Sequence, residues 1–440
     1  MTRPAPGPRP AAGGSTAPGH SDPGSAAPDV SALPEYDRAP RFAPTVFDAS
    51  RASRWAREIL ALPVWLQALA VYLASRIVSV GIFAAVVRTQ DRAPWTTGLE
   101  TSLGDFLNFW DAGWYRRIAD EGYPDVLPRG ADGTVLENAW AFYPLHPWMV
   151  RDLAQLTGVD YQVISPLLST VFGAAAAIVV LLLFRRHTTP GRALFGLAVL
   201  FVFPASAIFS TGYAESLTLL LQALALLLVI DRRYLLAIPV VVLMDLSRPI
   251  GVAFSFFMLI HLIDRFLRRR TIPYPAGEVV RSWTLGVLSC AAALIHPAHA
   301  WLRTGELTAY TDTEAAWSGG HSRIIVQWFA RANDLVGPFG PLLLFAAIGL
   351  MLVLIHSPAG RQMGRTLQHF CLAYCIYIFL FFNPQTSTLR LLLPLFPIAL
   401  TLAWCRAGMY RAVLLGCLVL FQVVWVGFLW HFTPPADLPP

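Results

Sequence analysis

Lysine is absent: all 33 basic residues of this 440-residue chain are arginine, set against 27 acidic ones. Charge of either sign is scarce, at 14% of residues, too little to clothe a soluble domain of this length. The formal net charge of +6 is no nucleic-acid signature, because the arginines flank apolar segments instead of forming a basic stripe. No Gly-rich dinucleotide fingerprint occurs, nor any Asp-x-Asp pair of the kind that holds a nucleotide sugar through a metal. The five cysteines, Cys290, Cys371, Cys375, Cys405 and Cys417, all fall within or beside apolar segments. They lack partners at zinc-binding spacing and read as small packing residues, with neither disulfide nor metal centre. His146, His296, His299 and His321 likewise have no carboxylate at ligand spacing and read as packing or surface residues. No cofactor is implied, though a divalent metal is not excluded.

What the chain does have is apolar residues, 55% of the total, with a mean hydropathy of +0.53. They come in blocks of about 20, the length that crosses a hydrocarbon core roughly 30 Å thick. Most blocks lack the polar stripe of a buried soluble helix. The expected fold is an all-α integral membrane protein, a polytopic bundle of about 11 transmembrane helices. The spans fall near 63–87, 162–184, 192–210, 215–230, 234–247, 249–264, 282–300, 337–356, 367–383, 389–404 and 411–430. Alternation from a cytoplasmic N-terminus, held there by Arg51, Arg54 and Arg57, then puts every inter-span arginine cluster inside. These are Arg185 and Arg186, Arg232 and Arg233, Arg265 to Arg270, Arg361 and Arg365, and Arg406. A single broken helix around Ser247-Arg248-Pro249 is the alternative, and the arginine distribution argues against it.

Residues 1–50, rich in Pro, Ala, Gly and Ser, read as a disordered cytoplasmic tail and lack the apolar core of a signal peptide. Residues 51–432 form the membrane domain, and 433–440 a short extracytoplasmic tail. The all-Arg, Ala- and Pro-rich composition is that of a GC-rich bacterial genome. Two extracytoplasmic segments are long, 88–161 and 301–336. The first carries about eleven of the 27 acidic residues together with Trp95, Trp110, Trp114, Trp140 and Trp148, content typical of a functional loop.

Within it stands Asn108-Phe109-Trp110-Asp111-Ala112-Gly113-Trp114-Tyr115, continuing through Ile118-Ala119 to Gly122-Tyr123-Pro124. Read as one helix, it sets Asn108, Asp111 and Tyr115 on one face and Phe106, Trp110, Trp114 and Ile118 on an apolar side. Such a helix would lie in the membrane interface with Asp111 toward water or substrate, or serve only as an anchor with incidental acids.

The run Trp110-Asp111-x-x-Trp114-Tyr115-x-x-Ile118-Ala119-x-x-Gly122-Tyr123 resembles the first luminal loop of the PIG-V family, mannosyltransferases of GPI synthesis and their bacterial relatives. Phe142-Tyr143-Pro144-Leu145-His146-Pro147, Gly212-Tyr213-Ala214-Glu215-Ser216 and Ser247-Arg248-Pro249-Ile250-Gly251 are similar to three further family elements, in the same order. His146 stands where the family pattern has an aromatic, and Pro249-Ile250 where a polar pair is common. The resemblance covers about residues 63–260. It implies a GT-C type membrane glycosyltransferase that takes mannose from a polyprenyl-phosphate donor.

The residues fit that chemistry. A phosphate leaving group departs without protonation, so the site needs one carboxylate to take the acceptor's proton and positive charge on the phosphate. Asp111 is the candidate catalytic base; a lone carboxylate implies inversion. Arg248 and Arg390, at the outer ends of membrane helices, are the candidate phosphate ligands, and Arg390 follows the polar run 383–388. The alternatives are an Arg248–Asp245 pair and an Arg390 that snorkels. Trp110, Trp114, Tyr115, His146 and Glu215 complete the candidate substrate-binding set, although Glu215 could instead serve its own helix N-terminus. The expected partners are membrane lipid, the polyprenyl-phosphate sugar donor, and a glycolipid, glycan or protein acceptor in the cell envelope, with no nucleic acid. The expected location is the cell membrane, with the catalytic loop outside. A lipid or sugar transporter and a non-catalytic subunit of a glycosylation complex are the competing readings.

Overall fold

The structure, a computed structural model, describes residues 35–37, 54–318, 325–382, 384–434 and 440. Among the described residues the elements are helical, apart from one isolated bridge between Arg129 and Val135. Five helices are long and apolar enough to cross a membrane: Val64–Thr89, Tyr161–His187, Ala276–Thr304, Val326–His356 and Gly408–Trp430. Pro190–Phe201 and Pro204–Ser210, bent by 81° against each other, make a sixth if taken as one broken span. The expected count of about eleven is therefore not reached by continuous spans. Glu215–Ile230 and Tyr234–Asp245 are apolar but short. The expected 389–404 span divides into Thr388–Leu391, a tight turn at Leu393–Leu395, and Ile398–Leu402. Prolines explain both kinds of break: Pro204, Pro394 and Pro397 lack the N–H and clash with the turn before them.

The Val64–Val86 helix shows why this chain belongs in lipid. Its buried face carries Gln67, Ser75, Arg76 and Ser79, while Leu73 and Ile77 on the other side are 52% and 75% exposed. A helix with polar residues inward and bare leucine and isoleucine outward is stable where the surroundings are hydrocarbon. Arg76 has a definite task. Its guanidinium donates to the carbonyls of Ser206 at 2.6 Å and Phe201 at 2.7 Å, on either side of the bend at Pro204.

The arginine clusters meet at one end of the bundle. Arg186 pairs with Asp231, Arg232 and Arg265 share Glu278, and Arg365 lies 4.0 Å from Asp264. Three residues of the expected disordered tail are packed there: Glu35–Asp37 form a 3-10 turn. The Tyr36 hydroxyl donates to Asp264 at 2.8 Å, and Asp37 accepts from the Thr366 backbone N–H at 2.9 Å. The remainder of residues 1–53, with Arg51, lies outside the described residues, as do the side chains of Arg54 and Arg57. Around Ser247-Arg248-Pro249 the chain breaks between the helices Tyr234–Asp245 and Gly251–Leu267, neither of which is long and apolar enough to count as a span.

The loop between the first two spans is itself ordered. Ser102 and Asp105 form a reciprocal cap on the short helix Leu103–Phe106. Asp105 also accepts from the Thr97 hydroxyl at 2.7 Å and Gln162 at 2.6 Å. Burial alone would raise its carboxyl, but the hydrogen bonds from Ser102, Thr97 and Gln162 prevail and hold it down at about 2. Two further helices, Asp111–Glu121 and Leu145–Thr157, complete the loop and carry the candidate residues to the bundle.

Candidate functional site

Asp111 does not sit within a helix that starts upstream of it. The chain breaks at Trp110, whose φ of 60° is a conformation that non-glycine residues rarely adopt, and the helix begins at Asp111 itself. Such a backbone costs on the order of 1–3 kcal/mol and persists only where its surroundings hold it. Here the Trp110 indole N–H donates to the Trp430 carbonyl at 2.8 Å, and the ring packs against Trp95 and Phe432. The expectation of one continuous face from Asn108 to Tyr115 is thereby corrected. Asn108 instead donates to Gly104 and Gln162 carbonyls, each at 2.9 Å. As first residue of its helix, Asp111 has a backbone N–H without a helical partner, and the Tyr213 hydroxyl takes it at 3.0 Å.

Tyr213 ties the loop to the bundle. It is fully buried, and the Gly212 N–H before it donates to the Leu107 carbonyl at 2.9 Å. A Cβ at Gly212 would stand 2.5 Å from Asn108 Oδ1 and 2.7 Å from Ser165 Oγ, so only glycine allows this approach. Two residues on, Glu215 opens the helix Glu215–Ile230 with its side chain 4% exposed.

Three charged groups converge on Asp111 from distant parts of the chain. Arg390 donates through Nη1 to Asp111 Oδ2 at 2.5 Å, and its guanidinium lies 5.5 Å from the Tyr213 ring centre. Arg390 Nε points to Glu215 Oε1 at 3.6 Å, and Arg248 pairs with the same Glu215 oxygen. The four side chains are between 4% and 18% exposed. Both alternatives weighed for the arginines are set aside: Arg248 pairs with Glu215 and not with Asp245, and Arg390 is held by Asp111 instead of reaching for solvent. Asp245 is buried with neither carboxylate oxygen hydrogen-bonded.

Beside this quartet lies a small cavity of about 40 Å³ with Glu215, Arg248 and Arg390 in its wall. The rest of the wall includes Gln222, Tyr374, Tyr377 and apolar groups such as Leu219 and Leu393. Sequence reasoning missed Tyr374 and Tyr377, which sit in a helix whose apolar pattern gives no sign of them. Tyr213 was within a recognised motif, yet nothing in its spacing showed that it would contact Asp111. Its wall thus combines two arginines and a glutamate with tyrosine and aliphatic side chains.

The remaining candidates stand behind Asp111, away from the cavity wall. Trp114 stacks on Phe142 at 5.7 Å and meets Trp317 edge-on. Tyr115 is buried against Phe142, His146 and Tyr213. His146 is fully buried, its Nε2 3.3 Å from Ser169 Oγ, which itself donates to the Tyr213 carbonyl at 2.7 Å. These three, with Trp110, form a packed support for the Asp111 helix. His296 lies against the Trp140 carbonyl at 2.9 Å, and His321 is outside the described residues. Among the described residues no group of three or more His, Cys, Asp or Glu could hold a metal ion.

No protein-family model matches the chain, and no curated protein matches it in sequence. Among solved structures it is similar to an oligosaccharyltransferase from Archaeoglobus fulgidus, crystallised with zinc and sulfate. The TM-score is 0.46 and the identity 12%, over 83% of this chain and 54% of that one. The chain thus spans about half the length of that protein. The functional reading rests on the site's own residues.

Proposed function

We propose that the chain is a membrane glycosyltransferase of GT-C type. It moves a mannosyl residue from a polyprenyl-phosphate donor to a cell-envelope glycolipid, glycan or protein on the outer face of the cell membrane. One observation carries the reading: Asp111, Glu215, Arg248 and Arg390, all singled out in sequence, meet in one cluster, and the last three line a partly apolar cavity. In the reaction Asp111 accepts the proton of the acceptor hydroxyl as its oxygen bonds to the anomeric carbon. The bond from that carbon to the phosphate oxygen breaks, and its electron pair leaves with the polyprenyl phosphate. Arg248 and Arg390 are the groups that would stabilise the charge gathering on that phosphate. With Asp111 acting as base and Glu215 paired to Arg248, transfer inverts the anomeric centre.

Helix length supports an outward orientation. Glu215 begins a helix that ends at Ile230, beside the Arg186–Asp231 pair. At about 1.5 Å per residue this separates the site from the arginine-rich end by roughly 24 Å. The positive-inside rule assigns the arginine-rich end to the cytoplasm, and the site then faces outward. The test is to incubate membranes holding the protein with radiolabelled polyprenyl-phosphate-mannose and follow label into lipid, glycan and protein fractions. Label should move with the wild-type chain and not with Asp111→Asn inserted at equal level. Transfer by Asp111→Asn at the wild-type rate refutes the mechanism. No transfer by either, with donor intact, favours the subunit or transporter reading.

A further inference from the structure

The two acids and two arginines of the site balance in charge and engage one another. We propose that the Asp111–Arg390 pair is a latch opened by the donor's phosphate, so that the donor must bind before the acceptor; the inference rests on the glycosyltransferase reading above. Asp111 Oδ2 is engaged by Arg390 Nη1 at 2.5 Å. An acceptor hydroxyl arriving first competes with that charge-assisted bond for the carboxylate. Arg390 is itself incompletely satisfied: its Nε is buried without a hydrogen bond, because the nearest acceptor, Glu215 Oε1, is 3.6 Å away. Glu215 Oε2 is buried without a donor as well. A buried donor left over at a cavity wall is where an incoming anionic oxygen gains a full charge-assisted bond.

A planar guanidinium with five N–H groups can turn from one oxygen anion to another without losing its own charge balance. A phosphodiester brings one more negative charge than the quartet holds, and Arg390 and Arg248 are the groups positioned to take it. As Arg390 turns to the phosphate, Asp111 Oδ2 loses its donor and is freed for the acceptor hydroxyl. Donor binding thus arms the base. The Tyr213 hydroxyl, bonded to the Asp111 backbone N–H, keeps the start of this helix in place while Arg390 leaves.

Polyprenyl monophosphate, with polyprenol as the uncharged control, is titrated against the full chain in lipid nanodiscs. In the latched protein the phosphate must displace Asp111, so Asp111→Asn should bind it about tenfold tighter, a difference of about 1.4 kcal/mol. Polyprenol binding should not change. Glu215→Gln, which frees Arg248, should shift affinity in the same direction. Infrared difference spectra of aspartate-labelled wild-type protein give a second readout that needs no variant to fold. Phosphate binding should move one carboxylate stretch from its arginine-bonded to its unbonded position. Tighter binding without that band shift reduces the effect to plain charge repulsion and overturns the latch, as does equal or weaker binding by Asp111→Asn. In either case transfer activity in the wild type leaves the glycosyltransferase reading standing. If the wild-type chain neither binds polyprenyl monophosphate nor transfers label, both fall together.

Discussion

A double-mutant cycle on Asp111 and Arg390 tests whether the charged cluster exists as a coupled unit. Their side chains are 15% and 10% exposed and lie 2.5 Å apart. Removing one partner of a pair this buried leaves the other charge uncompensated. For Arg390→Gln the expected loss is therefore about 3–5 kcal/mol of stability. Asp111→Asn should cost less, about 1–3 kcal/mol, because Arg390 keeps Glu215 close by and asparagine retains the shape. The double variant removes both charges, so its loss should fall short of the sum of the singles by about 1–3 kcal/mol. Denaturant titration of the protein in detergent, followed by tryptophan fluorescence, gives all four free energies under one condition. Losses additive to within about 0.5 kcal/mol would mean that the two side chains do not meet. The site as described, and the function built on it, would then be wrong.

Three further outcomes are expected. Gly212→Ala should destabilise the chain by about 1–3 kcal/mol, since its Cβ would press on Asn108 and Ser165; an unchanged unfolding midpoint contradicts that packing. Arg76→Met should remove the guanidinium bonds to the Ser206 and Phe201 carbonyls, the latter keeping its bond from the Ser206 hydroxyl, at a cost of about 1–3 kcal/mol. Protease sensitivity at the 201–206 bend is the measurement, and wild-type resistance would count against the proposed role. Asp105 makes the stability of the first loop depend on acid. Its carboxyl is held down at about 2 in the folded chain, so its contribution is complete above the ordinary aspartate range near 3.8 and is lost as pH falls toward 2. Asp105→Asn should flatten that part of the stability profile, and an unaltered profile refutes the assignment.

Much of this protein was legible without coordinates. Scarce charge, the absence of lysine and blocks of apolar residues at membrane length state a membrane protein, because hydrocarbon tolerates little else. Asp111 and Glu215 stood out within motifs that resemble a known family, and Arg248 and Arg390 as charges at the ends of apolar runs, where charge is costly to keep. Pairing was another matter. Local spacing offered Asp245 to Arg248, three residues away and on the same side of an assumed helix. The helix ends at Asp245, however, and Arg248 turns to Glu215 instead. The contact between Asp111 and Arg390 crosses 279 positions, and no periodicity reports on it.

Span counting failed for a related reason. Hydropathy sees composition, whereas the prolines at 204, 394 and 397 divide apolar stretches into pieces, and Arg76 donates to carbonyls on either side of one such break. The sequence by itself determined the solvent in which the chain lives, the rough extent of its apolar segments and the charged residues worth suspecting. Only the tertiary structure decided which of those charges meet, where Trp110 breaks the loop helix, and that Glu35–Asp37 dock against the bundle. The first group depends on each residue's own transfer energy, which composition carries. The second depends on contacts between distant segments, which exist only once the chain has closed on itself.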